Sequence, residues 1–181
     1  ESSGCLAKLD QEELLTYEEL LHVVRVAVAM GMTKVRLTGG EPLVRRGVLD
    51  FIRELARIEG LNDIRITTNG VLLERYGREL FEAGVTKVNI SLDSLRPERV
   101  AAITGVDCFD AVWRGVETVL ALGFAPVKLN MVAMRHINDD EILDFARMSQ
   151  RLPLQVRFIE FMPIGASSRW NANTYISTDE I

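Results

Sequence analysis

Lys34-Val35-Arg36-Leu37-Thr38-Gly39-Gly40-Glu41-Pro42 is the stretch from which the fold can be read. Val35 and Leu37 alternate with Arg36 and Thr38, so a strand here has one apolar and one polar face. The strand then runs into two glycines, a carboxylate and a proline. Glycine lets main-chain atoms approach a ligand closely, and proline ends strand pairing and turns the chain outward.

The same alternation recurs downstream. Ile64 and Ile66 stand against Arg65 and Thr67, Val88 and Ile90 against Asn89 and Ser91, and Val127 and Leu129 against Lys128 and Asn130. Strands of a sheet covered by helices on both faces would instead be nearly continuous apolar runs. One apolar and one polar face predict an α/β fold in which parallel strands with outer helices form a partial (β/α) barrel around a wet, ligand-binding interior. Strands are expected at about 34–38, 63–68, 87–92, 126–133 and 154–161, with helices near 47–58, 73–83, 109–122 and 139–151 between them. Thr16-Tyr17-Glu18-Glu19 is a capping box, opening a helix in which Leu20, Val23, Val24 and Ala27 recur at helical spacing up to Gly31. No repeat, low-complexity tract or Pro/Ser-rich linker divides the chain.

Composition narrows the function classes. With 181 residues, 48% hydrophobic and 26% charged, the chain suits one domain with a sizeable core. A net charge of -5 argues against general nucleic-acid or membrane-surface binding and leaves room for a focused anion pocket. No apolar run is long enough to span a bilayer and no signal-peptide pattern opens the sequence, so a cytoplasmic location is expected. Cys5 and Cys108 are too few for a disulfide framework and lack metal-ligand spacing.

Polar segments fall at the C-terminal ends of consecutive strands: Gly39-Gly40-Glu41, Thr67-Thr68-Asn69-Gly70, Ser91-Leu92-Asp93, Asn130 and Glu160-Phe161-Met162. Barrel active sites are assembled at that rim. Together with Leu15-Thr16-Tyr17-Glu18-Glu19, Val127-Lys128-Leu129-Asn130-Met131-Val132 and Arg157-Phe158-Ile159-Glu160-Phe161-Met162-Pro163, these segments resemble, in order, the GTP 3′,8-cyclase family of radical S-adenosylmethionine enzymes, which serves molybdenum-cofactor biosynthesis. The resemblance runs from about Leu15 to the end of the chain. Gly-Gly-Glu-Pro alone would indicate only the superfamily.

The resemblance implies two sets of site residues. Gly40, Glu41, Ser91 and Met162 match positions that hold S-adenosylmethionine, Glu41 being the acid near the methionyl amine. Arg36, Thr67 and Lys128 match GTP contacts, and all three fall on the polar strand phase. Arginine suits phosphate as a bidentate donor and lysine as a point charge. The implied chemistry is reductive cleavage of S-adenosylmethionine to a 5′-deoxyadenosyl radical. That radical takes the ribose C3′ hydrogen of GTP, and C3′ then bonds to purine C8, giving (8S)-3′,8-cyclo-7,8-dihydroguanosine 5′-triphosphate. The implied partners are GTP, S-adenosylmethionine and an electron donor, with a homodimer left open. The implied cofactors of the parent enzyme include two 4Fe-4S clusters.

Here the sequence departs from the family. It contains no CxxxCxxC motif and no second group of three cysteines, so this chain is expected to hold no cluster and to be inactive by itself. Cys5 is not assigned as a ligand. Both ends read as cut: 1–15 as a polar segment after the cluster loop, 16–162 as a partial barrel lacking its first strand, and 163–181 as a loop with the start of a helix at Ser177-Thr178-Asp179-Glu180. Lower stability in isolation is expected from the exposed strand edge.

The remaining polar and aromatic candidates have structural readings. His22 and His136 lack partners at metal spacing, Arg45-Arg46 suits a solvated helix start, and Trp113 and Trp170 suit packing. Asn138-Asp139-Asp140-Glu141 fits an N-cap with first-turn acids, and Met162 without the resemblance reads as core. Two other functions stay open: a cluster-free barrel enzyme with Lys128 as an imine-forming lysine, and a catalytically silent nucleotide-binding or subunit-contact module.

Overall fold

The computed structural model describes residues 14–163 and 171–181. Helix α1 (Tyr17–Ala29) leads into five parallel strands: β1 (Lys34–Leu37), β2 (Asp63–Thr68), β3 (Lys87–Ser91), β4 (Val127–Ala133) and β5 (Leu154–Glu160). Between them lie α2 (Val48–Ala56), α3 (Leu73–Glu82), the pair α4 (Pro97–Thr104) and α5 (Phe109–Ala121), and α6 (Ile142–Arg151). The strands lie side by side in sequence order, and the sheet is not closed. It is the expected partial barrel.

Local chemistry sets the element ends. Thr16 Oγ1 accepts from the Glu19 amide at 3.2 Å while the Glu19 carboxylate accepts from the Thr16 amide at 2.7 Å, completing the capping box of α1. Amphipathic α2 and α3 turn Phe51, Ile52, Leu55, Leu73 and Leu80 inward. These pack on the apolar strand phase, where Ile64, Ile66, Val88, Ile90, Val127 and Leu129 are 0–6% exposed. Each such side chain contributes about 1.5–3 kcal/mol by leaving water. The opposite phase is left polar and partly open.

The tightest joint is between α5 and the turn after β2. A Cβ on Gly115 would lie 2.5 Å from the Gly70 carbonyl oxygen, and one on Gly70 (φ +84°) would meet Ile90 and Val112 at 2.9 and 3.0 Å. Only glycine lets the two backbones come this close.

Several expectations are corrected. Helix α4 was not expected; Pro97 at its first turn and Gly105 at its C-cap mark it. Pro126 precedes β4, which starts at Val127. The segment 139–151 opens with a 3₁₀ turn (Asp139–Glu141) before α6. Asn138 makes no side-chain cap; its Nδ2 donates to the Asp93 and Val132 carbonyls and its Oδ1 accepts from the Met134 amide. Arg45 does not solvate a helix start: it donates to the Leu15 carbonyl and lies 4.3 Å over the Tyr17 ring, which stacks on Phe51. The start expected at Ser177-Thr178-Asp179-Glu180 is a single turn: the Glu180 carboxylate accepts from the Ser177 amide and hydroxyl at 3.0 and 2.8 Å, and the Ile181 amide donates to the Ser177 carbonyl at 3.2 Å. Trp113 stacks on Phe109 as a packing residue, while Cys5 and Trp170 lie outside the described residues.

Candidate functional site

Strand register turns the polar phase into transverse rows across the sheet. Arg36 pairs with Arg65 and Arg65 with Lys87; Thr67 pairs with Asn89, Asn89 with Lys128 and Lys128 with Gln155; Ser91 pairs with Asn130 and Asn130 with Arg157. Neighbouring strands stand about 4.8 Å apart, so side chains in one row share one ligand-sized space. Arg36, Thr67 and Lys128 therefore occupy adjoining rows of one face, with Arg65 and Arg157 among them.

Electrostatics reports the same grouping. Burial lowers the Lys128 ammonium below its ordinary range, and Arg157, Arg65 and Arg36 lower it further by like-charge repulsion. Asp63 answers part of this charge. It takes a bidentate bond from Arg65, Nε to Oδ1 and Nη2 to Oδ2, lies 3.1 Å from the Lys87 ammonium and 3.9 Å from that of Lys34, and is held at a pKa of about 2 chiefly by the Arg65 bond. Asn130 Oδ1, on the same face, is buried with no hydrogen-bond partner among the described residues. A buried acceptor left open in this way calls for a polar partner, a water or a ligand donor.

At the end of β1, Gly39 takes φ +144°, and among the described residues no atom lies within 4 Å of a Cβ added to it or to Gly40, leaving open space beside the backbone. Glu41 is clasped from behind. Its Oε1 accepts from Thr68 Oγ1 at 2.8 Å and the Leu43 amide at 3.1 Å, and its Oε2 accepts from the Asn69 amide at 2.6 Å. The acid thereby ties the β1 turn to the end of β2.

The four residues of the other set fall in different hollows. Gly40 and Glu41 line one of about 340 Å³ against α1 and α2. Ser91 lines one of about 110 Å³ beneath α4. Met162, half exposed and so not core, lines a cavity of about 620 Å³ with Val132, Met134, Ile159 and Phe161. Asp93 and Ile103 border both of the last two, making them neighbours at the strand ends. Burial raises the Asp93 carboxyl against the opposing effect of a hydrogen bond from the Val132 amide. A larger hollow of about 830 Å³ lies between α5 and α6 and shares no residue with the polar face.

A family model described as the radical SAM superfamily matches residues 5–149. The chain belongs to the radical SAM superfamily. It is similar to the curated GTP 3′,8-cyclases of Thermodesulfovibrio yellowstonii, at 50% identity over 98% of this chain and 55% of that protein, and of Alkaliphilus oremlandii, at 48% over 97% and 55%. It thus spans about half the length of these curated relatives. Its fold is similar to that of a radical SAM methyltransferase from Sphaerobacter thermophilus, with a TM-score of 0.68 at 21% identity over 92% of this chain and 52% of that one.

Within this radical SAM barrel, Arg65, Asn130 and Arg157 share the polar face with Lys128; the period-two pattern puts all four there, and only the resemblance singled out Lys128. The described residues do not fit an iron–sulfur cluster: Cys108 is their one cysteine, and no three His, Cys, Asp or Glu side chains among them are grouped to hold a metal. They do fit a nucleoside ligand, with an apolar cavity at the strand ends, an orphan acceptor and a cationic face. No helix among them is long and apolar enough to cross a membrane.

Proposed function

We propose that this chain is the substrate-holding part of a GTP 3′,8-cyclase of molybdenum-cofactor biosynthesis. The observation that carries the reading is the inner face on which Arg36, Arg65 and Arg157 crowd Lys128. Repelled cations around one lysine are a site prepared for a polyanion, and a triphosphate replaces the repulsion with charge-assisted hydrogen bonds. Arg36 and Lys128 hold the phosphates, the Thr67 hydroxyl adds a contact one strand away, and Asn130 Oδ1 accepts from a donor on the nucleoside. The curated names of the relatives support GTP as that polyanion.

S-adenosylmethionine is assigned to the strand ends. Gly40 leaves room beside the backbone, and Glu41, with one lone-pair site left after its three accepted bonds, faces the amine. Ser91 and Met162 border the adjoining cavities that take the adenosine. Bound there and given one electron by the parent protein's electron donor, S-adenosylmethionine would supply the chemistry that takes the ribose C3′ hydrogen. This chain's residues orient the two ligands, and Val132, Ile159 and Met162 give the cavity an apolar wall. The 4Fe-4S clusters are assigned to the half of the parent protein this chain does not span, with an electron donor as partner and the cytoplasm as location.

In the full-length protein, Lys128→Ala is expected to raise the GTP dissociation constant roughly 10- to 100-fold, with S-adenosylmethionine affinity within about twofold, both read by calorimetry. Unchanged GTP affinity rejects the assignment. The lowered Lys128 ammonium also favours a second reading, an imine-forming lysine. Borohydride reduction in the presence of a carbonyl compound would leave a covalent adduct on Lys128 in that case alone.

A further inference from the structure

Helix α4 lies in the β3–α5 connection, over the cavity mouth. Arg99, Ala102 and Ile103 wall the 620 Å³ cavity opposite Val132, Ile159 and Met162, and Val100, Ile103 and Thr104 line the smaller hollow beside Ser91. Yet α4 spans only eight residues and buries only Val100. A helix so short and so thinly packed is not held in place by its apolar face.

Polar bonds supply what packing does not. Glu141, in the 3₁₀ turn before α6, is 1% exposed. Its carboxylate accepts from Ser94 Oγ at 2.7 and 3.0 Å, from the Leu95 amide at 2.6 Å, and from Arg99 Nη1. Arg99 also donates to Asp140 at 2.6 Å, and Arg96 pairs with Asp140 at 2.9 Å. Beside them, Asn138 donates to the Asp93 and Val132 carbonyls, and Asp93 accepts from the Val132 amide. These bonds join the β3–α4 loop to the β4–α6 loop, and both loops line the cavity: Asp93 from the first, Met134 and Ile137 from the second.

We infer that Glu141 is a positioning residue for S-adenosylmethionine: through Arg99 it latches α4 in place as the wall of the adenosine cavity. Arg99 is the one cation paired with Glu141 among the described residues, and a buried carboxylate that released it would stand uncompensated, so the latch holds the wall formed before any ligand arrives. The ligand then need not order α4 on binding. The inference rests on the assignment of this cavity to S-adenosylmethionine.

Arg99→Lys in the full-length protein keeps the charge but lacks the fork that serves Glu141 and Asp140 together. Faster amide exchange is expected in α4, with the S-adenosylmethionine dissociation constant raised roughly tenfold and that for GTP within about twofold. The double variant Glu141→Gln/Arg99→Met removes both charges and is expected to give the same selective loss should Arg99→Lys fail to fold. Unchanged α4 exchange in a folded variant would overturn the latch. Equal losses for both ligands, or faster exchange with full S-adenosylmethionine affinity, would overturn the positioning role. Absence of S-adenosylmethionine binding by the unmutated protein would instead overturn the reading of the cavity, and is seen before any variant is made.

Discussion

Lys128 is charged against its surroundings, and that has a sign. Its ammonium titrates below the ordinary value because burial and three guanidinium groups disfavour the cation. Between the folded value and the ordinary lysine value of about 10.4, the unfolded chain holds more protons, so stability rises with pH across that window; below it the penalty is constant. Lys128→Met is therefore expected to raise the melting temperature of the ligand-free protein at pH 7, by about 2–5 °C, while weakening GTP binding. A lower melting temperature would refute the repulsion. Asp63 gives the same direction of change with pH, but its charged form is stabilised by the fold where that of Lys128 is destabilised. With its carboxyl held at about 2, its contribution is complete above the unfolded value and is lost as pH falls through the folded one. Asp63→Asn should flatten the acid limb of stability between roughly pH 4 and pH 2, measured by denaturant titration. At this scale, the shared face of Arg36, Thr67 and Lys128 was legible because a period of two fixes it, whereas their selection from that face came from the resemblance. The clasp on Glu41 was not, since its partners Thr68 and Asn69 lie 27 and 28 residues away and no local pattern announces them.

Among the elements, the joint between α5 and the β2 turn is the least forgiving. Gly115→Ala puts a methyl group 2.5 Å from the Gly70 carbonyl and is expected to cost about 1–3 kcal/mol, read as a lower denaturation midpoint with unchanged slope. A neutral effect would mean that α5 can slide. Strands and long helices were legible because apolar residues recur at a fixed spacing over several turns or pleats. Helix α4 offers only Val100 as a buried anchor, so its periodic signal is weak and the Arg96-Pro97-Glu98 start is its main mark. Asn138 was misread for a related reason. In sequence it resembles a cap before acids, whereas its bonds run to Asp93 and Val132.

Considered whole, the molecule is a sheet with one dry face and one cationic face, and its first strand has an unpaired edge among the described residues. Leu15, Val23, Val26 and Met30 add an exposed apolar stripe on and beside α1. Produced alone, the 181-residue chain is expected to self-associate and to melt below the full-length protein, seen as concentration-dependent sedimentation and a lower transition. A monomer at all concentrations that melts like the parent would contradict this. The barrel and its polar interior were readable because both depend on local alternation. The cavities at the strand ends were not, because they arise where loops from distant parts of the chain meet. The strand order β1-β2-β3-β4-β5 has a consequence in time as well as in space. Each strand pairs with the one synthesised just before it, so during translation every finished βα unit finds its docking edge already waiting, and loop closure never spans more than one unit. The polar rows are therefore completed in the order in which the ribosome delivers them, with Arg157 the last of their cations to arrive.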